Sequence, residues 1–348
     1  MENNCFCIKG CYLIMSFEIS VCIPIYNVEK YLGKFLESLA LQTFCENIEL
    51  IFVNDCTPDD SMSLVNDWKI KNNKFHIKII NHEKNKGLAA ARNTALNVAK
   101  GKYIVFIDSD DWLEPDYLEQ LYELAEKTDA DIVGCDCFLE TYRNTVIRKC
   151  FLCNTSELNI MNLLYGKTTG WLWVKLFKRD LFVQNNISWI EGIDLFEDVL
   201  IDVKLYDKSK KTEYTSIPLY HYNQLNLTSL THELNDERCQ QLINALKNIE
   251  SYLISENKMD TYKKAYEVKQ AYIKSWILRN CKNLRKEYLL LFKNKKLSKC
   301  NYLPFVRRFF LFLSEKNQYQ AIFMLRIFLN KLARLRNRFK KAVGIYTS

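Results

Sequence analysis

From Glu18 to Cys137 the chain switches between short, almost wholly apolar runs and stretches with helical apolar spacing. Glu18 to Ile25 reads as a buried strand, closed by Pro24 and Tyr26-Asn27. Glu29 to Leu41 places Tyr31, Leu32, Phe35, Leu36 and Leu39 at a helical period. Glu49 to Val53 and Ile77 to Ile80 are two further short strands, with a helix from Ser61 to Asn72 between them. Gly87 opens an Ala-rich helix, Leu88 to Ala99. Tyr103 to Ile107 is apolar throughout, as suits a strand covered on both faces. Pro115 starts a helix over 116–127, a favoured place for proline, and Ile132 to Cys137 is another strand. Strands that alternate with helices predict a mostly parallel α/β sheet with right-handed crossovers and flanking helices. Ligands of such sheets bind at the carboxyl ends of the strands, where Asp55 and Asp108 both fall. Residues 138–230 are mixed, and from Asp236 the pattern is helical and rich in Lys, Tyr and Leu.

The 348 residues, 48% hydrophobic with only 9 Gly and 5 Pro, suffice for one large domain or a domain with an appendage and exclude a fibrous chain. Charge divides the molecule. Residues 258–348 hold 23 Lys/Arg against 4 Asp/Glu, which leaves 26 against 37 in residues 1–257. An acidic body, net −11, therefore carries a basic tail, net +19. Such a tail calls for an anionic partner, a lipid surface or a nucleic acid. Over 305–341, Phe305, Phe309, Phe310, Phe312, Ile322, Phe323, Leu325, Ile327, Phe328, Leu332 and Leu335 interleave with Arg307, Arg308, Arg326, Lys331, Arg334, Arg336, Arg338, Lys340 and Lys341. Basic and aromatic residues on amphipathic stretches suit an anionic membrane surface. A solvated appendage or a dimer contact is the plainer alternative. The 13 Cys show no four-ligand zinc spacing and read as reduced thiols of a cytoplasmic protein. No run of 18 apolar residues predicts a membrane span. Residues 1–15 read as a disordered leader, since Lys9 interrupts any signal-peptide core.

Asp108-Ser109-Asp110-Asp111 follows the apolar strand. Three carboxylates in four residues repel one another unless positive charge sits among them. A hard cation, Mg²⁺ or Mn²⁺, shared with phosphate oxygens would relieve this. Taken alone, the tetrad reads as a solvated acidic turn; the buried strand before it and Trp112-Leu113-Glu114-Pro115 after it turn the reading to a metal site. Asp55 can accept a hydrogen bond from a uracil N–H, or form an Asx-turn. Arg92, in Asn85-Lys86-Gly87-Leu88-Ala89-Ala90-Ala91-Arg92-Asn93, can reach a base or phosphate, or be a surface arginine.

These segments together resemble family 2 glycosyltransferases of the GT-A fold, of the bacterial cell-surface polysaccharide type. The likeness rests on Val21-Cys22-Ile23-Pro24-Ile25-Tyr26-Asn27, the turn from Asn54-Asp55 to Ser61, the segment Gly87 to Asn93, and Phe106-Ile107-Asp108-Ser109-Asp110-Asp111-Trp112, in that order. It spans roughly residues 16–230. The resemblance implies inverting hexosyl transfer from a UDP- or similar nucleotide-activated sugar to a glycan or polyprenyl-linked acceptor. It implies nucleotide-sugar contacts by Pro24, Tyr26, Asn27, Asp55, Arg92, Asp108 and Ser109, with Asp108 near the ribose and Asp110 on the metal. It implies that Asp198, in Leu195-Phe196-Glu197-Asp198-Val199, is the general base, with Glu197 orienting it. Asp202, one turn on, is a fallback. Trp173 and Lys175, in Trp171-Leu172-Trp173-Val174-Lys175-Leu176-Phe177, resemble the family's sugar and acceptor pocket, although a Trp pair also suits a core. His221 to Ser229 resembles the closing lid, with Asn223 where relatives often carry Arg; His221 is a further metal candidate.

The implied organisation is a leader over 1–15, a GT-A domain over 16–235 and a basic helical region over 236–348. The implied location is the cytoplasm, at the inner face of the cell membrane where the tail attaches. Two other readings compete. A nucleic-acid-binding protein would use the tail, but the acidic body carries no recognition motif. A non-catalytic homologue would not need the acidic tetrad and Glu197-Asp198 intact. A dinucleotide oxidoreductase or a pyrophosphorylase would need a Gly-rich phosphate loop where Pro24-Ile25-Tyr26-Asn27 stands.

Overall fold

The computed structural model describes residues 17–226, 234–292 and 296–342. The leader 1–15, most of the lid segment after Asn226, and the side chains of Arg334, Arg336, Arg338, Lys340 and Lys341 lie outside what is described. The expected alternation is present: β1 (Ile19–Ile25), α1 (Glu29–Ala40), β2 (Ile48–Asn54), α2 (Ser61–Lys71), β3 (His76–Asn81), α3 (Leu88–Val98), β4 (Tyr103–Phe106), β5 (Trp112–Leu113), α4 (Tyr117–Thr128) and β6 (Ile132–Glu140). The mixed region resolves into β7 (Thr145–Arg148), α5 (Ser156–Tyr165), β8 (Lys175–Lys178), α6 (Arg179–Gln184), α7 (Glu197–Lys208) and β9 (Thr212–Asn223). The helical remainder is α8 (Asp236–Ser255), α9 (Met259–Asn280), α10 (Glu287–Leu290), α11 (Phe305–Glu315) and α12 (Tyr319–Ala342).

All but β7 lie along one sheet path, β3-β2-β1-β4-β8-β6-β9-β5, with β7 paired to β6. The first four strands on the path are mutually parallel. Their carboxyl ends therefore share one edge, which carries Pro24, Asp55 and Asp108. Beyond β4 the sheet is mixed: β8 enters antiparallel between β4 and β6, and β9 returns parallel to β6. So β6 is not β4's neighbour, although the alternating pattern alone runs it on as the next strand. A short reversed strand such as Lys175–Lys178 leaves no periodic signal of its own.

The central strands are apolar throughout because both faces are covered. Ile19, Val21 and Ile23 face a core shared with Leu32, Phe35 and Leu121 of α1 and α4. Cys22, Ile104 and Phe106 face the opposite core, with Ala91 and Ala95 of α3. That second core runs without interruption into Leu246 of α8, Ile277 of α9 and Leu311 of α11. Asn235 caps α8 by accepting from the Arg238 N–H at 2.9 Å, so the helical region begins where sequence placed it.

The turn from α3 into β4 passes hard against β1. A Cβ on Gly101 would stand 2.5 Å from the Ser20 backbone nitrogen. We expect Gly101→Ala to lower stability by about 1–3 kcal/mol, as overpacking does. Urea denaturation measures it, and an unchanged midpoint would refute the close approach.

Candidate active site

A cavity of about 740 Å³ opens on the carboxyl edge of the parallel strands. Its lining includes Pro24, Tyr26, Asn27, Asp55, Arg92, Asp108, Ser109, Asp110, Trp173, Glu197 and Asp198, so tertiary structure gathers nearly all the sequence candidates.

Asp55 extends β2 by one residue and is 3% exposed. Its carboxylate accepts from the backbone N–H groups of Lys86 and Gly87, both at 2.8 Å, and lies 2.7 Å from His82 Nδ1. It thus organises the loop into α3 as well as lining the cavity. Gly87 has φ +90°, a conformation costly for any residue with a Cβ. A Cβ there would also stand 2.4 Å from Asp194, whose Oδ1 accepts from the Ala89 N–H at 2.8 Å. Arg92, one helical turn on, is 3% exposed. It donates to Glu197 Oε1 at 2.5 Å and to Asp108 Oδ1 at 3.0 Å. It is therefore not a surface arginine; it bridges two acidic positions and lines the cavity, its Nε without a hydrogen bond among the described residues.

The acidic tetrad divides by partner. Asp111 is buried, accepting from the Tyr220 hydroxyl and the Asn223 N–H, each at 2.7 Å. It ties β9 to the end of β4. Ser109 donates to the Pro24 carbonyl at 2.7 Å. Asp108 and Asp110 are half-buried and line the cavity. Burial and the neighbouring Asp108 charge push the Asp110 carboxyl up to about 6. Asn226 donates to Asp110 Oδ2 at 2.8 Å, and the Asn223 side chain to its carbonyl at 3.0 Å. The asparagine thus holds the Asp110 backbone and contributes no charge.

Glu197 and Asp198 open α7 after Phe196, a non-glycine residue at φ 70°. Burial raises both carboxyls, Asp198 to about 6 with the charge of Asp202 adding to the rise and Glu197 to about 8 with the charge of Asp198 adding to it, while Arg92 opposes both. Asp202 behaves differently. It is fully buried and pairs with Lys175 at 2.5 Å, away from the cavity lining. Lys175 also donates to the Trp171 carbonyl at 3.0 Å. Neither the expected sugar contact by Lys175 nor the fallback base Asp202 is brought to the cavity: each neutralises the other beneath its floor. Trp173 is 4% exposed, stacked on Tyr220 at 4.2 Å and on Trp171 at 4.8 Å, and half-buried Trp171 extends that aromatic wall. His221 lies 2.7 Å from both Glu114 and Glu140 and stacks between Trp112 and Phe138, with no place in the cavity lining.

Comparison with known proteins fits this geometry. The family model described as glycosyl transferase family 2 matches residues 20–182. EpsH of Bacillus subtilis, a putative glycosyltransferase, is 32% identical over 252 residues, covering 71% of this chain and 72% of its own. The chain belongs to glycosyltransferase family 2. Its fold is that of TarS from Staphylococcus aureus solved with UDP-GlcNAc, at TM-score 0.60 and 19% identity over 88% of this chain and 92% of that one. A mannosyltransferase of Pyrobaculum calidifontis, PcManGT, solved with GDP-Man and Mn²⁺, aligns at TM-score 0.50 and 15% identity over 88% of this chain and 86% of that one.

Several lining residues of this glycosyltransferase carried no sequence signal. Asp194 belongs to no motif and matters only because α3 docks on it. Arg238, Lys269, Tyr272 and Trp276 reach the cavity from α8 and α9, far along the chain from every motif. Among the described residues only Glu197 and Asp198, already marked by their motif, stand at the helix start that faces Arg92.

The Lys175–Asp202 pair generates a stability prediction. Lys175→Ala leaves a buried carboxylate uncompensated and is expected to cost about 3–5 kcal/mol. Lys175→Met with Asp202→Leu is expected to recover most of that loss in guanidinium denaturation. If the single variant is as stable as wild type, the pair is not structural.

Proposed function

We propose that this glycosyltransferase moves a sugar, with inversion, from a nucleotide-diphosphate donor of the UDP-sugar class to a hydroxyl of a glycan or lipid-linked acceptor during cell-surface polysaccharide synthesis. The observation that carries the proposal is one cavity in which the Asp108/Asp110 strand end and the Glu197-Asp198 helix start are joined through Arg92. The UDP-GlcNAc bound to TarS and the GDP-Man bound to PcManGT support a nucleotide-sugar donor for this fold.

Asp108 and Asp110 fit a hard divalent cation, Mn²⁺ or Mg²⁺. Two carboxylates share a strand end, and burial together with the Asp108 charge raises the Asp110 carboxyl to about 6, a cost that a bound cation would relieve. Among the described residues no cluster of three such side chains could hold a metal unaided. Diphosphate oxygens and water would therefore complete the ligand set, with Asp110 the protein's ligand. When bound, the cation neutralises the departing diphosphate. Pro24, Tyr26, Asn27 and Asp55 line the nucleoside end, with Asp108 and Ser109 beside the ribose. Half-buried Trp171, backed by its stack on Trp173, presents an aromatic surface to a sugar. Asp198 takes the proton from the acceptor hydroxyl as it attacks the face opposite the leaving group. Glu197, held by Arg92, fixes the helix start on which Asp198 stands.

The anionic partner of the basic region is read as a phospholipid surface. Phe305, Phe309, Phe312, Phe323 and Phe328 of α11 and α12 are exposed beside Arg308 and Lys331. No described helix is long and apolar enough to cross a membrane. Attachment at the surface suits that pattern.

Calorimetry with UDP is expected to show binding that requires Mn²⁺ or Mg²⁺; no binding with either ion would sink the transferase reading. Asp198→Asn is expected to lose roughly 10²–10⁴ in transfer rate. The wild-type rate is expected to climb as pH rises through about 6, because a base works only when deprotonated. A rate that falls over that interval would remove Asp198 from the role. Phe305→Glu with Phe309→Glu and Phe328→Glu is expected to abolish pelleting with phosphatidylglycerol vesicles, and undiminished pelleting would discard the membrane surface.

A further inference from the structure

Among the described lining residues of the cavity, one buried cation has no anionic partner. Lys269, on α9, is 6% exposed, yet its ammonium makes no hydrogen bond or ion pair among the described residues. Its nearest described company is aromatic. Nζ lies 5.4 Å from the Phe196 ring centroid and 5.9 Å from that of Tyr272. Those distances fall within cation–π range, which softens the desolvation of a charge without supplying a counter-ion. Lys175, buried outside the cavity lining, has the carboxylate of Asp202 at 2.5 Å. Arg92, the buried arginine, has two carboxylates.

A buried, unpaired ammonium costs stability, and replacement by an apolar residue would relieve it. Burial already pushes the Lys269 ammonium down to about 8, and the charge of Asp198 opposes that fall. The same Asp198 charge acts on Arg92. The base candidate thus stands between two cations. Arg92 leads to the strand end of the acidic tetrad, and Lys269 belongs to the wall built by α8 and α9. That second wall has a composition unlike the first. It contributes Arg238, Val268, Lys269, Tyr272 and Trp276, with no carboxylate among them. The strand ends contribute Asp55, Asp108 and Asp110. Arg307 adds positive field from behind, its guanidinium 4.3 Å from the Tyr272 ring.

We propose that Lys269 is the contact of an acceptor-side anion subsite, and that the acceptor carries a phosphate ester or a carboxylate next to the hydroxyl that receives the sugar. The proposal rests on the transferase reading and adds the chemical class of the acceptor to it. A desolvated ammonium recognises an anion strongly because water does not compete for it. The aromatic rings of Tyr272 and Trp276 would flank the carbon skeleton of the same acceptor unit. Lys269 then selects anionic acceptors and takes no part in the proton transfer assigned to Asp198.

The test uses the full chain with UDP and Mg²⁺, and three small probes: glycerol phosphate, glycerate and neutral glycerol. Calorimetry is expected to find at least one of the two anions bound about tenfold or more tighter than glycerol, and the stronger anion names the acceptor class. Lys269→Met is expected to erase that preference while UDP affinity holds, and Lys269→Arg to retain it. Removing an unpaired buried charge should leave the thermal midpoint of Lys269→Met equal or higher, so misfolding would not mimic the result. Equal binding of all three probes to wild type, or an unaltered preference in Lys269→Met, overturns the subsite. A chain that binds UDP but shows no anion preference loses the subsite alone. A chain that binds no UDP loses the transferase reading together with it.

Discussion

Arg92 sits between Asp108, just past the end of β4, and Glu197, at the first residue of α7, with its guanidinium on both carboxylates. Burial works against its charge, but the two carboxylates outweigh that and hold it protonated. Three elements separated in sequence, α3, β4 and α7, are therefore fixed to one another through one side chain. The acidic strand end and the acidic helix start are the parts that would otherwise repel most strongly. With Arg92 between them they form opposite sides of one cavity. Without it, two buried carboxylates would lose their counter-charge, and the helix start that carries Asp198 would lose its anchor.

The same principle recurs around the cavity with different partners. Asp55 is neutralised by backbone N–H groups and His82, Asp202 by Lys175, and Asp111 by Tyr220 and the Asn223 N–H. Asp110 keeps one asparagine donor and an elevated carboxyl. The residues held by such partners build the framework, although Asp202 Oδ1 has no hydrogen bond among the described residues. The incompletely neutralised ones, Asp110 and Asp198 on one side and Lys269 on the other, are where ligands would supply the missing charge.

The opposition of charge along the chain acquires a spatial meaning here. The acidic body supplies Asp55, Asp108, Asp110, Glu197 and Asp198 to the cavity lining. Part of the basic region is not an appendage at all: α8 and α9 share a core with the sheet and carry Lys269 and Tyr272 into the cavity. The remaining positive charge accompanies the exposed phenylalanines of α11 and α12. One compositional bias therefore serves two surfaces, one inside the site and one outside.

The strands and helices through β6 were legible from the chain because each buries a face with its own period, and residues such as Ile23 or Leu32 announce that face locally. The acidic tetrad and Glu197-Asp198 were legible because their chemistry sits in contiguous residues at element ends. The reversed strand β8, the commitment of Lys175 to Asp202 and the capping of α3 by Asp194 were not. Each depends on which distant residue arrives as a partner, and hydrogen bonds and ion pairs leave no mark on the periodicity of either segment. The sequence by itself determined the family, the parallel half of the sheet and the acidic positions that can do chemistry. Only the tertiary structure decided which of those charges are spent on one another and which still face the cavity, because neutralisation is a property of neighbours in space.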